Sequence, residues 1–125
     1  MLSSFPTHAT LPVTDLERAC EFYETVLGLV PELVAPGGVM YSTGEGTHFL
    51  VFPSSGSASG SHTQLGFAVG DIEAEVTDLK LRGVVFESYD FPGFDPNTSI
   101  ADTGPLRAAW FRDHDGNLLS VVQFA

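Results

Sequence analysis

The chain has 125 residues, with five basic side chains against sixteen acidic ones and a net charge of −11. Such a surface repels nucleic acid and anionic membrane, which excludes both as electrostatic partners. Its 43% hydrophobic content and ten Phe suffice for one globular domain over residues 1–125, and its single cysteine, Cys20, excludes an internal disulfide.

No apolar run approaches the roughly 20 residues that span a bilayer. The N-terminus carries no basic stretch followed by an apolar one, so a cytoplasmic protein is expected. His8 to Val13 reads as a strand, with Ala9, Leu11 and Val13 at period 2. Thr14-Asp15-Leu16-Glu17 then forms a capping box, with Thr14 as the cap. Leu16, Ala19, Phe22 or Tyr23, and Val26 or Leu27 follow at helical spacing, and Gly28 supplies a left-handed stop. Cys20 in this helix is read as a small hydrophobe. Leu29 to Ala35 is a strand that Pro31 confines to an edge. Strands at Val39–Thr43 and Thr47–Pro53 complete a first βαβββ module over residues 5–53. Residues 54–62, nearly all Ser, Gly and Ala at their centre, read as a linker.

The pattern then repeats over residues 63–125. Leu65, Phe67 and Val69 alternate in a strand at Thr63–Val69, Asp71 opens a helix to Arg82, and Gly83 closes it. Asp15 and Asp71 lie 56 positions apart, as do His8 and Gln64. Strands are predicted at Val84–Ser88, Arg107–Arg112 and Leu118–Phe124. Gly46 and Gly116 lie 70 positions apart, 14 more than the earlier offset of 56, so the loop Tyr89–Leu106 between the module's second and third strands reads as holding a 14-residue insertion. Its aromatics Tyr89, Phe91 and Phe94 are read as a lid or as a contact with a second subunit.

Three segments carry a resemblance. His8-Ala-Thr-Leu-Pro-Val-Thr-Asp-Leu-Glu, Phe22-Tyr-Glu-Thr-Val-Leu-Gly-Leu and Ala109-Trp-Phe-Arg-Asp-His-Asp-Gly-Asn-Leu-Leu-Ser resemble the vicinal oxygen chelate superfamily of glyoxalases, bleomycin- and fosfomycin-resistance proteins and extradiol dioxygenases. The resemblance implies an α+β fold of two tandem βαβββ modules, their mixed sheets curled into an open cup, in a homodimer. In metal-using members, four cup positions hold a divalent cation, and here they map to His8, Leu50, Gln64 and Ser120. Leucine is no ligand, a serine hydroxyl is a weak one, and no carboxylate remains to balance the charge. No cofactor is therefore expected. If a metal binds, His8 and Gln64 are its ligands, as a Lewis-acid site for glyoxalase-like or dioxygenase-like chemistry. A shifted set of His8, His48, His62 and Gln64 is a further arrangement.

Strand period places Thr10 and Pro12 beside His8, and Gly66 and Ala68 beside Gln64. Met40, His48, Phe52 and Trp110 are read as pointing into the cup with Leu50 and Ser120. An apolar, aromatic-lined cavity with few polar groups suits a small organic molecule. His8 serves there as a polar contact or, in a metal-free lyase or isomerase, as the general base. His114, in Asp113-His114-Asp115-Gly116, is assigned to a hairpin turn. The acidic residues Glu17, Glu21, Glu24, Glu73, Glu75 and Asp78 are solvated helix faces.

Overall fold

The computed structural model describes every residue except Ser57, so that part of the predicted linker lies outside the described residues. The chain divides into two compact units, Met1–Ala58 and Ser59–Ala125.

In the first unit, β1 (Ala9–Val13) leads to α1 (Leu16–Glu21), then to β2 (Val30–Ala35), β3 (Gly38–Ser42) and β4 (His48–Pro53). The sheet order is β1-β4-β3-β2, with β1 and β4 parallel and the remaining pairs antiparallel. β2 is the edge expected from Pro31, and its register shifts between Pro31 and Leu33. The cap of α1 corrects the sequence reading: Asp15, not Thr14, takes the N-cap position, and its Oδ1 accepts from the Arg18 amide at 3.1 Å. The helix is also not α-helical to its end. A π-helical turn spans Phe22–Val26, with the Leu27 amide donating to the Phe22 carbonyl at 3.1 Å. Phe22 and Tyr23 both lie in this wider turn. Both are buried. Tyr23 packs on the sheet, its ring centroid 5.7 Å from that of Tyr41 and 5.6 Å from that of Phe49, and Leu11, Val13 and Val51 are buried in the same unit. Gly28, at φ 72°, turns the chain into β2.

The second unit contains β5 (Thr63–Ala68), α2 (Ile72–Leu81), β6 (Phe94–Asp95), β7 (Ile100–Asp102), β8 (Leu106–Arg112) and β9 (Leu118–Phe124). Its sheet order is β5-β9-β8-β7-β6, again with only the first pair parallel. Asp71 caps α2 as expected, accepting from the Ala74 amide at 3.1 Å. Ile72, Val76 and Leu79 bury one stripe of that helix with Ala109, Phe111, Leu119 and Val121 of the sheet.

Two sequence expectations fail in this unit. Val84–Ser88 is not a strand: it makes one bridge, Phe86 to Phe111, while the Glu87 amide donates to the Trp110 carbonyl at 2.7 Å. The second strand of the module is β7, which pairs with β8 as β2 pairs with β3. The residues absent from the first module therefore enter between α2 and β7, not between the second and third strands. Residues 89–106, read as a loop, themselves contain β6 and β7. Among the described residues, no helix is long and apolar enough to cross a membrane.

Candidate functional site

In the first unit the sheet has one face buried under its helix and a second face of less buried residues; in the second unit Ala108, Leu118 and Ser120 of the alternate face are buried as well. In the first unit, Leu11, Val39, Tyr41, Phe49 and Val51 occupy the helix-packed face. The alternate residues Thr10, Met40, Leu50, His48 and Phe52 therefore occupy the other. Register puts Thr10, Leu50 and Met40 in one row across β1, β4 and β3, and Leu33 of β2 extends it. Phe52 pairs with Pro12, and His48 with Ser42. His8 stands one residue before β1 and is exposed. Its ring lies 6.1 Å from that of His48, whose Nδ1 is 3.7 Å from Glu32 Oε2.

The second unit repeats this lattice. Gly66, Ser120 and Trp110 form one row across β5, β9 and β8. Their offsets from Thr10, Leu50 and Met40 are the 56, 70 and 70 positions of the sequence repeat. The row differs in chemistry from its counterpart: one indole beside two of the smallest residues replaces Met beside Leu and Thr. Trp110 is held on two sides. Its Nε1–H donates to Thr63 Oγ1 at 3.0 Å, and the Tyr89 ring stands perpendicular to it with centroids 5.5 Å apart. Phe91 and Phe94 pack against Tyr89 and each other, so the aromatics of the extra segment gather beside Trp110 within this unit. Burial raises the Tyr89 hydroxyl above the ordinary tyrosine range, with the Glu87 charge adding to it and Arg112 opposing.

Gln64 lies at the register shift between Thr63 and Leu65. Its side-chain Oε1 is buried and meets no hydrogen-bond partner. His62 Nδ1 sits 3.2 Å from Ser59 Oγ in this second unit. His114 is exposed in the 113–117 turn, where Asp113 Oδ1 accepts from the amides of Asp115 and Asn117. The residue that sequence reasoning missed is Thr63. Its signal was the hydroxyl preceding Gln64 at the mouth of a strand, which is common enough to carry no weight alone.

The fold and these faces define a glyoxalase-type protein. The chain belongs to the Glyoxalase/Bleomycin resistance protein/Dioxygenase superfamily, whose family model matches residues 6–121. An antibiotic-binding protein, TnmS3, from Streptomyces sp. CB03234 is similar at 23% identity and TM-score 0.74, over 98% of both chains. A fosfomycin resistance protein, FosX, from Listeria monocytogenes is similar at 16% identity and TM-score 0.71, covering 98% of this chain and 94% of that one. A glyoxalase/bleomycin resistance protein/dioxygenase from Nocardioides is similar at 22% identity and TM-score 0.66, over 97% and 85%. Among curated proteins, none matches at a significant level.

The metal that this family implies meets an unsuitable donor set here. Leu50 offers no lone pair, and Ser120 is a neutral hydroxyl on a residue only 3% exposed. Only His8 and the amide of Gln64 remain of the four positions. Among the described residues, no group of three or more His, Cys, Asp or Glu is placed to hold a metal ion. These residues do not fit a divalent cation.

Proposed function

We propose that this protein binds a small apolar or aromatic organic molecule without a metal, as a homodimer in the cytoplasm. The observation that carries the reading is the presence of Leu50 and Ser120 at the family's metal positions, on sheet faces that also bear Thr10, Met40, Phe52 and Trp110. Apolar and aromatic surface with few polar groups favours organic ligands over ions. His8 and His48 in the first unit, and Gln64 in the second, are the polar groups on which the reading relies. The fold shared with an antibiotic-binding protein and a fosfomycin resistance protein supports small-molecule recognition. Sequestration of this kind needs a complementary surface and no bond-breaking step. The net charge of −11 favours a cationic ligand.

The test is metal analysis of protein purified without chelator, with thermal melting in the presence of Ni²⁺, Zn²⁺, Fe²⁺, Mn²⁺ and a panel of small organic molecules. A ligand that binds only the folded state raises the melting temperature by mass action. The reading expects shifts with organic molecules and none with metals. One tightly held metal ion per chain, lost in His8→Ala, overturns it.

A further inference from the structure

We infer that Ser59 and His62 form a nucleophile–base pair through which the chain takes an acyl group from activated esters or thioesters onto Ser59 Oγ. This site is separate from the sheet faces and independent of the small-molecule reading. Both residues lie just before β5, and both are exposed. Three contacts converge on Ser59 Oγ. The Ser61 amide donates to it at 3.3 Å, the Ser61 hydroxyl lies at 2.9 Å and His62 Nδ1 at 3.2 Å. A hydroxyl has one proton and two acceptor sites. With the imidazole proton on Nε2, the Ser59 proton goes to His62 Nδ1 and the Ser61 amide takes one acceptor site. The Ser61 hydroxyl is an exposed rotor, so the second lone pair is open to an incoming carbonyl carbon. A base within hydrogen-bond reach of the hydroxyl is the arrangement that activates a serine.

The loop is held in this form from the sheet. Arg112 Nη1 donates to the Gly60 carbonyl at 2.8 Å, and Gly60 turns the chain at φ 72° between Ser59 and Ser61. A Cβ at Gly60 would come within 2.7 Å of the same Nη1, so the guanidinium sits close against the turn. Ser54 is an internal comparison. Its Oγ also accepts from an amide two residues on, that of Gly56 at 3.1 Å, but among the described residues it meets no imidazole. In the step itself, Ser59 Oγ bonds to the acyl carbon as the bond from that carbon to the aryloxide or thiolate breaks. The Ser59 proton passes to His62 Nδ1, and the leaving group departs as its anion, leaving a serine ester.

The experiment treats the full chain with p-nitrophenyl acetate, follows p-nitrophenolate by absorbance, and maps acetyl groups by peptide mass spectrometry after acid quenching. The expected result is an acetyl group on Ser59, formed about tenfold or more faster than on Ser54. His62→Gln keeps a hydrogen-bond acceptor but no base, and should bring Ser59 down to the rate of Ser54. Ser59→Ala should remove the fast release of p-nitrophenolate. Acetylation of Ser59 no faster than that of Ser54 overturns the inference. So does a rate unchanged in His62→Gln, or fast release that persists in Ser59→Ala. None of these outcomes touches the small-molecule reading, which stands or falls on melting shifts with the organic panel.

Discussion

Arg112 and Glu87 meet at 2.6 Å between Nε and Oε1, and the same guanidinium donates to the carbonyls of Gly60 and Gly116. One side chain of β8 therefore ties together the approach to β5, the 113–117 turn and the segment after α2. The ion pair itself is about one-third exposed, at 36% and 30%, so solvent screens much of its attraction. The carbonyl bonds carry more of the effect. Arg112→Ala should lower stability by about 1–3 kcal/mol, and Glu87→Gln by less than about 1 kcal/mol. Urea unfolding of the two variants measures the ratio.

Gly93 adopts φ 93°, and a Cβ there would collide with the Asp102 carbonyl oxygen. Its own carbonyl accepts from the Asp102 amide at 2.9 Å, so the backbone cannot retreat without losing that bond. Gly93→Ala combines a left-handed strain with a backbone clash and should cost about 2 kcal/mol or more. Gly104→Ala is the control, having a similar φ of 96° with open space around it. Thermal melting should place Gly93→Ala well below Gly104→Ala.

The Tyr41 hydroxyl donates to Glu24 Oε2 at 2.9 Å from a fully buried ring. Burial, followed by hydrogen bonding to Cys20 and Glu24 and by their charges, raises its pKa far above the ordinary 10.0. In the unfolded chain this tyrosine ionises near its ordinary value, whereas in the folded chain it stays neutral. Its contribution to stability is thus complete below about pH 10 and is lost as pH rises beyond it. Tyr41→Phe should flatten that alkaline fall and cost about 1 kcal/mol at neutral pH. Urea titrations between about pH 8 and pH 11 read both effects.

Thr63→Val keeps the shape of β5 and removes the acceptor of the Trp110 Nε1–H bond. The half-buried indole then has to find water for that donor. A loss of about 1 kcal/mol is expected, with a change in tryptophan emission that belongs to residue 110 alone because the chain has one tryptophan. Thr63→Ser should leave the emission unchanged.

The repeat offsets were legible because a β-sheet has a fixed period. Once Thr10 and Gly66, and Leu50 and Ser120, are matched, the rows of both sheets follow. The misread strand at Val84–Ser88 shows the limit of that argument. Val84 and Phe86 are buried and Val85 is 80% exposed, so the alternation is real. It reports burial, whereas a strand also requires a ladder, and here β7 takes the neighbouring edge of β8. β7 itself has only three residues after a left-handed Ser99, too few to show a period. The cap was ambiguous because Thr14 and Asp15 are both good acceptors. Asp71, at the matching place in the second module, points to the aspartate that the structure uses. The orphaned acceptor of Gln64 was beyond sequence, since it depends on the register shift at Thr63 and Leu65.

The extra residues of the second module lie between the end of α2 and β7 and include β6, the outermost strand, so they leave the pairing of β5, β9 and β8 intact. Register propagates along paired strands and not through such a segment. Extra length is therefore accommodated without moving the frame of β5, β9 and β8, while Phe86, Glu87 and Tyr89 fasten the segment to Phe111, Arg112 and Trp110 of that frame.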